Sequence, residues 1–161
     1  MPQPYTPTEV VQAVAAGVSR LIAGGLTEHE REIELDHLAG LYAERTDVRH
    51  PFAPLGDTPL RTRAELRRHF AEAPARARRP DRFEPVGHVH ETADPEVVVF
   101  EFSYVGSMAG RLFELPCVFV SRVRDGVIVE SRDYGDHRGL ARVFGGLDDL
   151  VTALAADSRP E

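Results

Sequence analysis

The chain has 161 residues, 42% of them hydrophobic, and a formal net charge of −7. This size suits one compact domain with its own core, and the acidic balance argues against a nucleic-acid partner, which requires clustered positive charge. All 19 basic residues are arginine, so Schiff-base and P-loop chemistries, which need a lysine, are excluded. We predict a single domain over residues 1–161, with frayed ends at 1–7 and 156–161.

Location and cofactor use are predicted from what the sequence lacks. The single Cys117 cannot form an internal disulfide, and the N-terminal residues lack the pattern of a signal peptide. No apolar run approaches the roughly 18 residues of a membrane span. His88 and His90 have no third and fourth ligand at a fixed spacing, and glycine-rich phosphate loops are absent. We therefore predict a cytoplasmic protein with no membrane contact, no metal and no cofactor.

Helical periodicity dominates the first half of the chain. Residues 6–25 carry apolar side chains at helical spacing from Thr8 onward, and a glycine pair ends the pattern. Residues 28–45 repeat this pattern, with Tyr42 on the apolar side. The prolines within residues 47–60 predict a brief edge strand followed by an irregular loop. A third helix is expected over residues 61–73.

The second half changes to a period of two, which is typical of strands. Turn signals separate the segments, so we predict an antiparallel meander, followed by a helical tail over residues 137–156 that is interrupted at Gly145 and Gly146. Helices followed by long strands indicate an α+β domain, in which a cone-shaped curved antiparallel sheet wraps around the N-terminal helices. The predicted strands are residues 82–92, 96–106, 111–123 and 126–134.

Alternation along these strands predicts which side chains line the inside of the cone. Phe100, Phe102 and Tyr104 share one face of their strand, and Cys117 and Phe119 share the matching face of the next. We expect both sets to point inward, giving a mostly apolar wall.

The orientation of the last strand depends on the turn that precedes it. A three-residue turn with a glycine bulge at residues 125–126 places Val129, Ser131 and Asp133 on the inner face. A slip of one residue would reverse this assignment.

Three stretches resemble the SnoaL-like enzymes and the related PhzA/PhzB-like phenazine branch of the nuclear transport factor 2-like superfamily. They are "VRHPF", "LRTRAELRRHF" and "FELPCVFVSRVRDGVIVESRDY", and the overall resemblance runs from about Thr8 to Gly146. It implies a nuclear transport factor 2-like, or cystatin-like, cone. It also implies a homodimer, for which Pro116, Val118 and Val120 on the outer face of the sheet are the candidate interface.

The resemblance also implies roles for individual residues. The phenazine branch has a pocket glutamate where Asp133 stands and a pocket histidine where His69 stands, and limonene-epoxide hydrolases have a catalytic aspartate at the position of Asp133. Ketosteroid isomerases have their base at the position of His50. Two departures are clear: Phe100 and Phe102 replace the Arg-x-Asp pair of the epoxide hydrolases, and Cys117 lies near the place of the isomerases' protonated acid.

We predict a cofactor-independent acid–base enzyme of small-molecule biosynthesis, acting as an isomerase, cyclase or dehydratase on an apolar carbonyl compound. Two alternatives remain: a non-catalytic ligand-binding or dimerisation module, and an epoxide-opening enzyme. A cavity where Asp133 meets a histidine favours the enzyme, whereas a cone filled by phenylalanine rings favours the module. The predicted catalytic residues are Asp133, His69 and His50, and the predicted substrate-binding residues are Tyr104, Phe100, Phe102, Phe119, Cys117, Ser131 and Tyr42.

These residues also have structural explanations. Asp133 could cap a turn or pair with a neighbouring arginine, and His69 could be a surface residue of its helix. Tyr104 could be a core aromatic, and Cys117 a small buried hydrophobic residue.

Overall fold

The computed structural model describes residues 4–75 and 78–159, so parts of both predicted frayed ends lie outside the described residues. Within this part of the chain there are five helices and six strands, and none of these helices is long and apolar enough to cross a bilayer. The helices are α1 (Pro7–Ala23), α2 (Glu28–Gly40), α3 (Arg63–Ala75), α4 (His137–Phe144) and α5 (Leu147–Ala156). The strands are β1 (Tyr42–Arg49), β2 (Leu60–Thr62), β3 (Arg82–Glu91), β4 (Val97–Met108), β5 (Arg111–Arg124) and β6 (Val127–Gly135).

The first two helices begin with reciprocal side-chain caps. Thr6 and Glu9 form such a capping box at α1, and Thr27 and Glu30 form another at α2. Because Thr6 is the cap, α1 begins before the predicted Thr8. The predicted second helix over residues 28–45 is wrong at its C-terminal end, since α2 ends at Gly40 and Tyr42 begins a strand.

The six strands form one curved, open sheet in the order β2-β1-β6-β5-β4-β3. The predicted antiparallel meander is confirmed for β3 to β6, and the α+β class is confirmed. The prediction of an edge strand near residue 47 is wrong. β1 lies inside the sheet because it pairs in parallel with β6 on one side and antiparallel with β2 on the other.

The turn between β5 and β6 is shorter than predicted. Arg124 pairs with Val127, so only Asp125 and Gly126 form the loop. Both have positive φ angles, 50° and 78°, which is the backbone of a two-residue hairpin turn of type I′. Such a turn without any further irregularity would place Asp133 on the outer face of the sheet.

A bulge at Val129 reverses that outcome. Val123 pairs with Ile128, whereas the next residue of β5, Arg122, pairs with Glu130, so Val129 has no partner. Ile128 is therefore the inward residue next to the turn, and it is buried, in contrast to the prediction for Val129. Beyond the bulge the alternation places Ser131 and Asp133 on the inner face, as predicted.

The helices cover the inner face of the sheet and divide its core in two. α1, α2 and α3 enclose an aliphatic cluster against β1 and β6, and Gly17 allows α1 and α2 to approach closely, because a Cβ there would lie 2.5 Å from Leu38. The second cluster contains the rings of β3, β4 and β5, against which α1 packs. Leu140, Val143 and Phe144 of α4 pack on these rings and close the open side of the sheet.

Candidate active site

Asp133 lies on the inner face of β6, directly opposite Phe119 of β5. Only 15% of its side chain is exposed, and burial raises the pKa of this carboxyl to about 7. A hydrogen bond from Ser131 and the positive charge of Arg132 oppose this rise. Asp133 therefore changes its charge close to neutral pH.

Two buried serines hold the carboxyl in place. Ser131 Oγ donates to Asp133 Oδ1 at 2.5 Å, and the hydroxyls of Ser131 and Ser121 lie 2.9 Å apart. Both serines are at most 2% exposed. The three side chains form a short hydrogen-bonded chain along the inner face, which restricts the orientation of Asp133. Ser131 was predicted as a substrate-binding residue, but its hydroxyl is already engaged with these two neighbours.

The side chain of His50 lies close to the carboxyl. It follows the last residue of β1, and its Nε2 lies 3.8 Å from Asp133 Oδ2. Burial, together with the neighbouring His69 and His137, lowers the pKa of His50 to about 4. Between about pH 4 and pH 7 both Asp133 and His50 therefore favour their neutral forms.

His69 lies on α3 next to His50, where the sequence resemblance indicates a pocket histidine. The two imidazole rings are 5.2 Å apart, and the ring of His69 also contacts Phe70. Partial desolvation lowers the pKa of His69, although the residue retains contact with solvent. The structure thus brings His50 to Asp133 and His69 to His50, with His69 at an exposed position.

Two buried tyrosines lie close enough to Asp133 for its charge to affect their pKa values. Tyr42, the first residue of β1, packs on Phe70, and Tyr104 of β4 stacks on Phe83. Burial raises the pKa of both phenols well above 10, and the negative charge of Asp133 raises both further. Both phenols therefore keep their protons at neutral pH and remain hydrogen-bond donors.

Cys117 lies opposite Gly135, two residues beyond Asp133 on the neighbouring strand. Burial raises the pKa of this thiol to about 11, and the charges of Asp133 and Asp136 contribute to the rise. A protonated thiol is a poor nucleophile. Cys117 is thus suited to a packing role in the wall of the site.

Phenylalanine rings fill much of the inner face beyond Asp133. Phe100 and Phe102 are buried and stacked, with their ring centres 4.3 Å apart. Phe119 meets Phe102 edge-on at 4.9 Å and is only partly buried. Phe100 and Phe102 are therefore core residues next to α1, and Phe119 is the ring that lies between this core and Asp133.

Two cavities are described near the edges of the sheet. The larger, about 550 Å³, lies between β1 and β2 and contains none of the predicted site residues. The smaller, about 370 Å³, lies at the end of β6, beneath α4 and α5. We call it the mouth pocket. Its wall consists of Phe52, Pro54, Gly135, Asp136, His137, Arg138, Leu147, Leu150, Val151 and Leu154.

His137 is a site residue that the sequence analysis placed only at a helix start. That placement is correct, since Asp136 caps α4 and His137 is the first helical residue. However, this residue lines the mouth pocket, and a positive charge on its imidazole would lower the pKa of His50. Burial also lowers the pKa of His137. Four consecutive residues, 135–138, line the pocket at the end of β6. Their position directly after Asp133 and Tyr134 is the signal that could have indicated this histidine.

Comparison with known families gives one match. The SnoaL-like domain family matches residues 18–131, which is more than half of the chain. This match confirms the resemblance drawn from the three sequence stretches. A search of curated proteins found no match.

Several solved structures share the fold at low sequence identity. A protein with a ketosteroid isomerase-like fold from Catenulispora acidiphila, in complex with trimethylamine, is 19% identical, with 88% of this chain and 95% of that one covered and a TM-score of 0.60. A phenazine biosynthesis-related protein from Pseudomonas aeruginosa is 16% identical, covering 91% and 90%, with a TM-score of 0.56. The epoxide hydrolase/cyclase-like enzyme SalBIII, with a role in pyran ring formation in the polyether salinomycin, is 17% identical, covering 83% and 92%, with a TM-score of 0.56.

Proposed function

We propose that this chain, which belongs to the SnoaL-like domain family, is a cofactor-independent isomerase or cyclase that moves protons on an apolar carbonyl compound. The names of the similar structures, among them a phenazine biosynthesis-related protein and an epoxide hydrolase/cyclase-like enzyme, support this general class. Secondary metabolism is the proposed setting. Isomerisation, ring closure, dehydration and condensation share the proton-transfer step on which the proposal rests.

The observation that carries the proposal is the environment of Asp133. Its carboxyl is 15% exposed, has a pKa of about 7, and lies 3.8 Å from His50 Nε2. A general acid or base works best when its pKa is close to the working pH. A carboxyl with an ordinary pKa of 3.8 would be a much weaker base at neutral pH.

The proposed reaction begins with removal of a proton from a carbon next to a carbonyl. The Asp133 carboxylate accepts this proton, and the electrons of the C–H bond move into the carbonyl to form an enolate. The resulting carboxylic acid then returns the proton to another carbon, which completes an isomerisation. In a ring closure, the enolate carbon instead bonds to a second carbonyl carbon, and the acid donates its proton to the new alkoxide.

The enolate oxygen needs a hydrogen-bond donor that remains protonated. Tyr104 and Tyr42 meet this requirement because burial keeps their phenols neutral. Neutral His50 is the second candidate, since one of its ring nitrogens carries a proton. The roles of Asp133 as base and of these residues as donors are proposals.

A proton-exchange assay tests the function without knowledge of the natural substrate. The protein is incubated in D2O with a panel of 1,3-diketones and cyclic enones, and deuterium incorporation is followed by NMR above the uncatalysed background. We expect catalysed exchange, and we expect Asp133→Asn to reduce it by about 100-fold or more, as for loss of a general base.

Glu130→Gln is the matched control because Glu130 is an exposed carboxylate on the outer face of the same strand. This variant should retain exchange at the level of the parent protein. Equal exchange in Asp133→Asn and the parent would refute the role of Asp133.

The stacked rings of Phe100 and Phe102 give the main support to the alternative, a ligand-binding or dimerisation module. That alternative predicts ligand binding without exchange in the same assay. The same two rings also disfavour the epoxide-opening alternative, because they occupy the strand positions at which the resemblance implies the Arg-x-Asp pair of epoxide hydrolases.

We also propose a homodimer formed through the outer face of the sheet. Pro116 is exposed there, and Val118 and Val120 are partly exposed on the same strand. Apolar side chains on an outer sheet face are suited to a twofold contact. A cytoplasmic location stays a prediction.

A further inference from the structure

The mouth pocket lies next to the proposed site. Gly135, Asp136 and His137 in its wall follow Asp133 along the chain after a single intervening residue, and Phe52 lies two residues beyond His50. Its volume of about 370 Å³ is within the range of small-molecule sites. Asp133 and His50 do not themselves line the pocket, but two chain segments lead from them into its wall.

The outer wall of the mouth pocket is aliphatic. Leu147, Leu150, Val151 and Leu154 of α5 face it, and Phe52 and Pro54 contribute the opposite side. α5 has no buried residue, and Val151 and Leu154 are 58% and 44% exposed. These apolar side chains are exposed to solvent, so their burial against a ligand is favourable.

One unsatisfied polar atom is also present in the pocket wall. Nε2 of His137 is shielded from solvent and has no hydrogen-bond partner within residues 4–75 and 78–159. A buried nitrogen without a partner is destabilising. Because this nitrogen is closed off from solvent, it is not open to the pocket either, and the case for ligand binding rests on the aliphatic wall.

The helices that form the pocket lie outside the region matched by the family. The match ends at residue 131, whereas α4 and α5 begin at His137 and Leu147. Arg159, beyond α5, reaches the loop after β1, since a Cβ on Gly56 would lie 1.8 Å from its Nη1. The C-terminal segment thus reaches the loop after β1.

We infer that the mouth pocket binds an aliphatic part of the substrate, an alkyl chain attached to its carbonyl group. This inference rests on the proposed function of Asp133. The carbonyl end lies toward Asp133 and His50, and the chain extends between Phe52 and α5.

Binding measurements on a chain-length series test this inference. Pentane-2,4-dione and nonane-2,4-dione carry the same reactive group, and their affinities are measured by titration calorimetry. Burial of each added methylene should raise the affinity by about fourfold. We therefore expect nonane-2,4-dione to bind at least about tenfold more tightly, even if only some of its four added methylenes are buried.

Val151→Asp should remove this preference, because it places a charge in the aliphatic wall at a position too exposed to be needed for folding. Its affinity for nonane-2,4-dione should fall about tenfold, with little change for pentane-2,4-dione. Leu112→Asp is the matched control, since Leu112 is 88% exposed on β5 and does not line the pocket. Equal affinities for the two diones, or an unchanged preference in Val151→Asp, would overturn the inference.

Exchange by the parent protein, measured beside its binding of the two diones, separates the two proposals. A chain-length preference without exchange by the parent protein supports the pocket and contradicts the proposed activity. Exchange of pentane-2,4-dione with no chain-length preference supports the activity and contradicts the pocket.

Discussion

Replacing Asp133 with asparagine should stabilise the protein at neutral pH, although it removes the proposed base. Burial raises the pKa of Asp133 from 3.8 to about 7. Each unit of pKa difference between the folded and unfolded states corresponds to about 1.4 kcal/mol. The ionised carboxylate therefore lowers the free energy of unfolding by up to about 4 kcal/mol, and water at its exposed edge reduces this value.

The pH dependence gives the sign of the effect. Below about pH 4 the carboxyl is protonated in both the folded and the unfolded state, so its ionisation does not affect the free energy of unfolding. Between about pH 4 and pH 7 the unfolded chain releases its proton first, and the stability of the parent falls with rising pH. Above pH 7 the carboxyl is ionised in both states, and the loss of stability no longer changes with pH. Asparagine does not ionise, so the variant does not lose this stability.

Urea unfolding followed by circular dichroism at pH 4 to 8 measures this difference. The stability of Asp133→Asn relative to the parent should rise through this range and level off above pH 7. His50 titrates in the same range, but it is present in both proteins, and below pH 7 it faces a neutral side chain in each. Identical pH dependence in the two proteins would refute the claim that burial perturbs Asp133.

Two further substitutions test the neighbours of the carboxyl. Ser131→Ala removes a hydrogen bond that lowers the pKa of Asp133, so the rise of exchange activity with pH should move to higher pH; an unchanged pH profile would contradict the positioning role of Ser131. His137→Phe removes the unsatisfied buried nitrogen and should raise the free energy of unfolding by about 1 kcal/mol, measured by urea unfolding. The exposed His29→Phe serves as its control and should change stability by less than about 0.5 kcal/mol; a destabilised His137→Phe would count against the pocket-wall geometry.

The strands and the inward position of Asp133 could be predicted from the sequence. The predicted cause of that position was wrong, however, because it relied on the length of the turn before β6. The expected three-residue turn is a two-residue turn, and the bulge at Val129 supplies the extra residue instead. Both arrangements shift the alternation by one residue, so Ser131 and Asp133 face inward in each. Alternation alone could not locate the bulge, because Ile128 and Val129 are equally apolar.

The errors near Tyr42 have a different cause. The helical apolar pattern continues through Leu41 and Tyr42, but pairing of the following residues with β6 draws Tyr42 into a strand. That pairing joins segments more than 80 residues apart and is parallel, so no local signal reports it. The same limit applies to the mouth pocket, whose wall combines the loop after β1 with α5.

The ionisation of Asp133 in the folded protein tests the central claim most directly. In protein labelled with 13C at aspartate carboxyls, the signal lost in Asp133→Asn identifies this residue, and its chemical shift is followed from pH 3 to 9. A midpoint at about pH 7 is the predicted result. A midpoint near the ordinary 3.8 would show a solvated carboxylate and would contradict its role as a base tuned by burial.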